Sequence, residues 1–600
     1  MLFRSYTTVT EPSLSRRAAA LGLVLVAVAS LGFASRFVHD PLMAGEVYLV
    51  IAADHLAREG RPMTRTKADA ARFAAIARAS GPSADERDTG YALWHPPLYI
   101  HLVAVVFGLA GTGAAQARLV GLVCLLATIL ATYVLSQAVF RDRADRRAIG
   151  LLAVFLFAVN PLAIQGALVV DIDTTLLTPA LLLALAAIAR SLDTTGATRD
   201  LALGALVAAL LWIKLTTPLV ILPALAVVLA ARRSIRVALA RTGVIAVVGV
   251  AGFLVTWIAY TGTLGLPAAA PFEHLGASLF GVGPHGALPA VALDTGLALA
   301  RLALWASPFL LLLWGLALAQ RASELASTRA PRSEDLLHLT AVTILVAYLV
   351  VGRTTFSFPR YHYPVLPLLA VLGAAPVLAA WRAAGPRYGR WLLATLVGAA
   401  FVWLAGDPLV STYAAVRERL VAGLALGDVI RRVALQAAVL VVTPLAIASL
   451  GGGGPCTSRA PAAVLPLAVA TLSYSLALDA IQTRADYLVR YGYGGVGTRE
   501  VLALLGREVR PESLVLAPAE LVYGIGNRAS PFPENGVWTS GPALAGALSA
   551  APVRAFAYGL PTNTIEQLLF LEHDPRVVAA LRESFRRWTI GSYTVWVRRP

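Results

Sequence analysis

The chain has 600 residues, of which 58% are hydrophobic and only 14% charged, with a formal net charge of +16. Soluble domains carry roughly 25% charged residues, so a water-soluble globular protein is excluded, and the mean hydropathy of +0.71 agrees. The positive charge falls on short loops between apolar runs, which fits cytoplasmic loops facing anionic lipid and argues against a nucleic-acid partner. The two cysteines, Cys124 and Cys456, are too few for a disulfide framework or a zinc site.

A membrane-spanning helix needs roughly 20 apolar residues. On that criterion crossings are expected near 18–38, 117–140, 148–168, 174–190, 237–260, 294–319, 335–352, 361–381, 391–406, 433–450 and 461–479. Two shorter runs, 201–213 and 217–231, flank Lys214 and read as a helical pair that reaches one membrane face and returns. The count is then about 13. The first run follows Arg16 and Arg17 and continues into Phe37-Val38-His39-Asp40, as a retained anchor does.

Orientation follows from the loops. The short loops of one alternating set carry 20 Lys/Arg and the short loops of the other seven, so the first set is expected inside. The N-terminus is then cytoplasmic, the C-terminus extracytoplasmic, and the protein lies in the plasma (inner) membrane. The run Pro97–Ala110 is too short to cross and reads as interfacial or re-entrant within a first outer loop, 39–116. In that loop Glu46–Arg58 and Lys67–Ala79 have amphipathic helical spacing and are expected to lie along the membrane surface.

Beyond residue 480 polar residues return. Helices are expected at Thr498–Val509 and Pro575–Arg587, and strands at Ser513–Ala517, Val553–Tyr558 and Tyr593–Val597. The division is a transmembrane domain, 1–480, and an extracytoplasmic α/β domain, 481–600.

The loops expected outside hold Asp40, Glu46, His95, Asp171, Asp173, Lys214, Arg353, Arg360 and Tyr361. Each has an ordinary reading. Asp40 caps a turn at an Asp-Pro step, Asp171 or Asp173 caps the next helix, Lys214 snorkels, Arg360 anchors at the interface, and His95 sits in a turn. Together they suit one task. Ionisable groups at membrane depth are costly and need partners. Carboxylates can deprotonate a hydroxyl or hold a divalent cation, and Lys and Arg can clamp a phosphate. That points to displacement of a lipid phosphate from a sugar carbon.

The ordered pieces are Asp40 with Glu46-Val47-Tyr48, Leu56 and Gly60, then His95-Pro96-Pro97-Leu98-Tyr99, Ala117-Arg118-Leu119, Val170-Asp171-Ile172-Asp173, Lys214 with Pro223, and Arg360-Tyr361 with Pro364 and Pro367. This series, spanning 18–381, resembles the GT-C superfamily of integral-membrane glycosyltransferases. The branch is the phospholipid-carrier-dependent one, with its protein O-mannosyltransferases and aminoarabinose transferases. The resemblance implies a polyprenyl-phosphate-sugar donor, a protein, lipid or glycan acceptor, and an acidic base from the first outer loop. Asp40 stands first as base and Glu46 second, with Asp171 as a further catalytic carboxylate. His95, Lys214, Arg353, Arg360 and Tyr361 are the donor-phosphate candidates. Asp40, His95, Asp171 and Asp173 are the candidates for a divalent cation. The competing class is a polytopic transporter or lipid flippase, against which the absence of a sequence repeat counts.

Overall fold

The computed structural model describes residues 14–40, 42, 44–64, 91–194, 196–281, 288–351, 359–383, 395–400, 427, 431, 459–482, 497–510, 513–518, 521, 529–531, 541–549, 553–559 and 571–600. Arg353, Lys67–Ala79, the whole of the run 433–450 and all of the run 391–406 except residues 395–400 lie outside these.

Among the described residues six helices are long and apolar enough to cross a membrane: Arg16–Phe37, Ala114–Val139, Asp173–Ser191, Ile235–Leu264, Pro308–Thr328 and Arg360–Arg382. A seventh candidate is the pair Arg146–Ala158 and Pro161–Leu168, bent by 65°. Shorter apolar helices include Leu98–Ala110, Val220–Arg232 and Val464–Leu478. The chain is thus a mostly helical, polytopic membrane protein.

Several expected spans are broken, and proline explains the breaks. Proline removes a backbone donor and disfavours helical geometry in the residue before it. The run 148–168 bends at Asn160-Pro161. There the Asn160 side chain accepts from Leu162 N at 3.0 Å and donates to Ala306 O at 2.7 Å. The run 294–319 is two helices, Leu288–Ala306 and Pro308–Thr328, parted at Ser307, whose φ of 77° no helix allows. The pair around Lys214 appears as expected, as Ala197–Leu211 and Thr217–Arg232.

The helix expected along the membrane surface is instead packed into the protein. Ala44–Glu59 buries Glu46, Val47 and residues 49–55 and lies against Leu98–Ala110. Its polar residues find partners within the protein, Glu46 in Arg118, Asp54 in Arg58 and His55 in Glu59.

The helices run between two ends of the bundle. Ala114–Val139, at about 1.5 Å per residue, is about 39 Å long and leads from Arg118 to Arg141. At the second end Arg141 and Arg232 both meet Asp193, and Arg382 meets Asp145 at 2.8 Å. Burial, which alone would raise it, is outweighed at Asp145 by Arg143 and Arg382, so its carboxyl stays below the usual range. The first end gathers the candidate site.

Near the C-terminus a five-stranded sheet has the order β2-β1-β3-β5-β4. The strands are β1 Leu514–Ala517, β2 Ala529–Pro531, β3 Val553–Gly559, β4 Phe585–Ile590 and β5 Tyr593–Arg598. The first three are parallel, and β5 runs antiparallel to both β3 and β4. Helix Thr498–Glu508 packs on one face, through Val501, Leu504 and Leu505 against Val595 and Val597. Helices Gly541–Ser549 and Pro575–Ser584 pack on the other. The helix expected to reach Arg587 stops at Ser584, because Phe585–Ile590 joins the sheet as its edge strand.

Candidate functional site

The site grows from separate pieces of chain that meet at one end of the bundle. Arg118, near the start of helix Ala114–Val139, is 1% exposed and ties two of them together. Its guanidinium donates to Val38 O at 3.0 Å, to Leu168 O at 2.7 Å and to Asp40 O. It also faces Glu46 at 3.5 Å. The other Glu46 oxygen accepts from Val170 N at 2.7 Å. One buried ion pair therefore fixes the Val38–Asp40 backbone, the helix Ala44–Glu59 and the Leu168–Val170 segment relative to one another. Gly121 permits this closeness, since a Cβ there would collide with Ala167 O.

The segment Val170-Asp171-Ile172-Asp173 presents two carboxylates. Asp171 uses one oxygen locally, accepting from Asp173 N at 2.9 Å, and the other to hold Arg360 at 2.9 Å. Asp173 takes Lys214 at 2.6 Å. A π-helical turn, Asp173–Leu177, follows at once, and such turns occur frequently at functional sites. Lys214 also lies over the rings of Tyr361 at 4.7 Å and Tyr348 at 5.2 Å, which stack on each other. This cation–π cage holds the ammonium in place. Arg360 sits over Tyr361 and donates to its hydroxyl at 3.1 Å. The two cations differ in access: the Lys214 side chain is 3% exposed and Arg360 34%.

His95 is half-buried at the mouth of the cluster. Its ring meets His274 edge-on, 5.9 Å between centroids. The following helix is pinned by His101 to Tyr260 at 2.9 Å. Gly265, in the left-handed region at φ 63°, ends the helix Ile235–Leu264 and turns the chain back to bring His274 alongside. Burial first, then Lys214, His274 and Arg360, hold the His95 imidazole well below its usual pKa, so it is neutral at pH 7.

Asp40 is largely buried. One carboxylate oxygen accepts from Arg499, 459 residues on in sequence, at 2.7 Å.

Asp40 and Glu46 are thus joined to Asp171 through Arg118 and Val170, and Asp171 and Asp173 to Arg360, Tyr361 and Lys214. His95 feels the same two cations. The four residues expected to take a cation do not form a ligand set: no group of three or more His, Cys, Asp or Glu suited to a metal occurs among the described residues. Asp171, Asp173 and Asp40 are instead each bound to a basic side chain. Four participants had no assigned role in the sequence reading: Arg118, His274, Tyr348 and Arg499. Arg118 carried a signal, as an arginine inside an apolar run; Arg499 carried none.

Residues 94–258 match the family model described as dolichyl-phosphate-mannose-protein mannosyltransferase. That stretch contains His95, Arg118, Asp171, Asp173 and Lys214. No curated protein matches the sequence. Among solved structures the chain is similar to ArnT from Cupriavidus metallidurans bound to undecaprenyl phosphate. The TM-score is 0.55 at 16% identity, over 97% of this chain and 98% of that one. The apo state of the same protein gives a TM-score of 0.48 at 17% identity, over 96% and 98%. An oligosaccharyltransferase from Archaeoglobus fulgidus in the apo form gives 0.47 at 12% identity, over 98% and 75%. The resemblance of this chain to the GT-C superfamily of integral-membrane glycosyltransferases is therefore carried by both a family match and a fold.

Proposed function

We propose that the chain is a glycosyltransferase that moves a sugar from a polyprenyl-phosphate donor to an acceptor hydroxyl on the extracytoplasmic side of the membrane. The observation that carries this reading is the pairing of two basic side chains, Arg360 and Lys214, with two aspartates of one short segment, beside a separately held Asp40.

Asp40 is the base. It takes the proton of the acceptor hydroxyl as the acceptor oxygen attacks the anomeric carbon. The bond from that carbon to the phosphate oxygen breaks, and the electron pair leaves with the polyprenyl phosphate. A single displacement of this kind inverts the anomeric centre. Arg360, the more accessible cation, meets the departing phosphate. Lys214, held beside the stacked pair of tyrosines, supplies a fixed positive charge behind it. His95, being neutral, serves as an N–H donor rather than a cation. Glu46 has both oxygens engaged and acts as a positioning residue, ordering Asp40 through Arg118. Asp171 orients Arg360. The C-terminal α/β part, 481–600, lies on the acceptor side, with the N-terminus cytoplasmic.

The test is transfer itself. Purified full-length chain, given radiolabelled polyprenyl-phosphate sugars and an envelope extract, is expected to move label from the donor and release free polyprenyl phosphate. Absence of carrier release from every donor tried contradicts the reading.

A further inference from the structure

The Asp40–Arg499 contact joins the candidate base to the C-terminal sheet. The position of Arg499 is built by its neighbours. Gly497, at φ 102°, sits so close to Ile590 in β4 that a Cβ there would meet Ile590 O at 2.9 Å. Thr498 Oγ1 lies 3.2 Å from the buried Tyr593 hydroxyl of β5. The first turn of helix Thr498–Glu508 is therefore held on the β4–β5 hairpin, and Arg499 extends from it to Asp40. The two partners are unequal: the Arg499 side chain is 67% exposed and that of Asp40 9%. Arg499 is thus the water-facing member of the pair.

We propose that Arg499 is a latch. In the resting protein it occupies the Asp40 carboxylate, and Asp40 becomes available as a base when an acceptor displaces the guanidinium. The inference rests on Asp40 being the base of the proposed transfer. Its consequence is protection of the donor. With Asp40 held, water is not deprotonated beside the sugar. The hydrolytic side reaction is thereby slowed: its water oxygen would bond to the anomeric carbon, its proton pass to Asp40, and the polyprenyl phosphate leave with the bond electrons. With its guanidinium open to water the pair is weaker and more salt-screened than a fully buried one, which suits a contact that must open in each cycle.

The experiment uses the full-length chain in detergent, as wild type, Arg499→Ala and Arg499→Lys. A water-soluble carbodiimide with an amine nucleophile labels accessible carboxylates, and mass spectrometry quantifies the label at Asp40, with Asp171 as the internal reference. Labelling of Asp40 is expected to be at least about two- to fivefold faster in Arg499→Ala, the range of a pair with a water-exposed partner, and near wild type in Arg499→Lys. Hydrolysis of polyprenyl-phosphate sugar without acceptor is expected to rise by a similar factor in Arg499→Ala only. Unchanged labelling of Asp40 in Arg499→Ala overturns the latch. Faster labelling without faster hydrolysis overturns its protective role. Because labelling does not depend on turnover, a chain that releases no carrier under any condition refutes the transferase reading while the labelling still decides the latch.

Discussion

Replacing Arg118 by alanine removes the cation on which the geometry of the site depends, and its cost follows from what it touches. Arg118 and Glu46 are each 1% exposed. Losing one partner of a buried pair leaves an uncompensated charge, a loss of about 3–5 kcal/mol. Three carbonyl oxygens, of Val38, Asp40 and Leu168, lose their donor as well. Each orphaned group adds about 1–3 kcal/mol in isolation, but the terms overlap, so the lower figure is the safe expectation. Arg118→Ala should therefore unfold more easily by at least about 3 kcal/mol, read by thermal or denaturant unfolding in detergent with tryptophan fluorescence. Arg118→Lys should recover only part, because an ammonium cannot match the planar fork that serves three carbonyls and a carboxylate. Adding Glu46→Leu to Arg118→Ala should recover stability, since the buried charge is then gone. A single variant Arg118→Ala within about 1 kcal/mol of wild type, the ordinary range of an exposed pair, would refute the reasoning.

Two further outcomes follow from the same geometry. Arg360→Ala should weaken binding of a polyprenyl-phosphate donor about tenfold or more, the worth of a charge-assisted hydrogen bond; equal donor affinity in a direct binding assay removes Arg360 from the phosphate site. For His95 the folded pKa lies below the unfolded one. As pH falls below about 6.5 the unfolded chain takes up the proton first, so stability is lost on acidification. His95→Gln should make the fall in unfolding midpoint between pH 7 and 5 shallower, and identical slopes in the two proteins would contradict a neutral imidazole in the folded protein.

Much of the helical body was legible because lipid imposes a length on apolar runs. The spans beginning at Arg16, Ala114, Asp173 and Ile235 lie within a few residues of expectation. The internal breaks were less legible, since hydropathy averages over a proline and does not register the bend at Pro161 or the parting at Ser307-Pro308. In the C-terminal part helical spacing continues past Ser584, so the expected helix runs to Arg587, over the first three residues of the strand Phe585–Ile590. The signal against it was the two-residue Gly591-Ser592 turn, with Gly591 at φ 56°, a typical hairpin connection. The candidate site was legible as a set of residue types at helix ends. Its wiring was not. Nothing local to Lys214 shows that Tyr348 will lie beside it, and nothing local to Asp40 points to Arg499. Those contacts are set by tertiary packing across long stretches of chain.

In the proposed transfer Asp40 removes the acceptor proton. The most direct measurement is acceptor-dependent release of polyprenyl phosphate from a labelled donor by purified wild-type chain and by Asp40→Asn. Asparagine keeps the shape and can still face Arg499 through its carbonyl oxygen, but it cannot take a proton. Release should fall by about two orders of magnitude or more, the usual worth of a general base, with the unfolding midpoint little changed. A folded Asp40→Asn protein that releases carrier at the wild-type rate would contradict the mechanism.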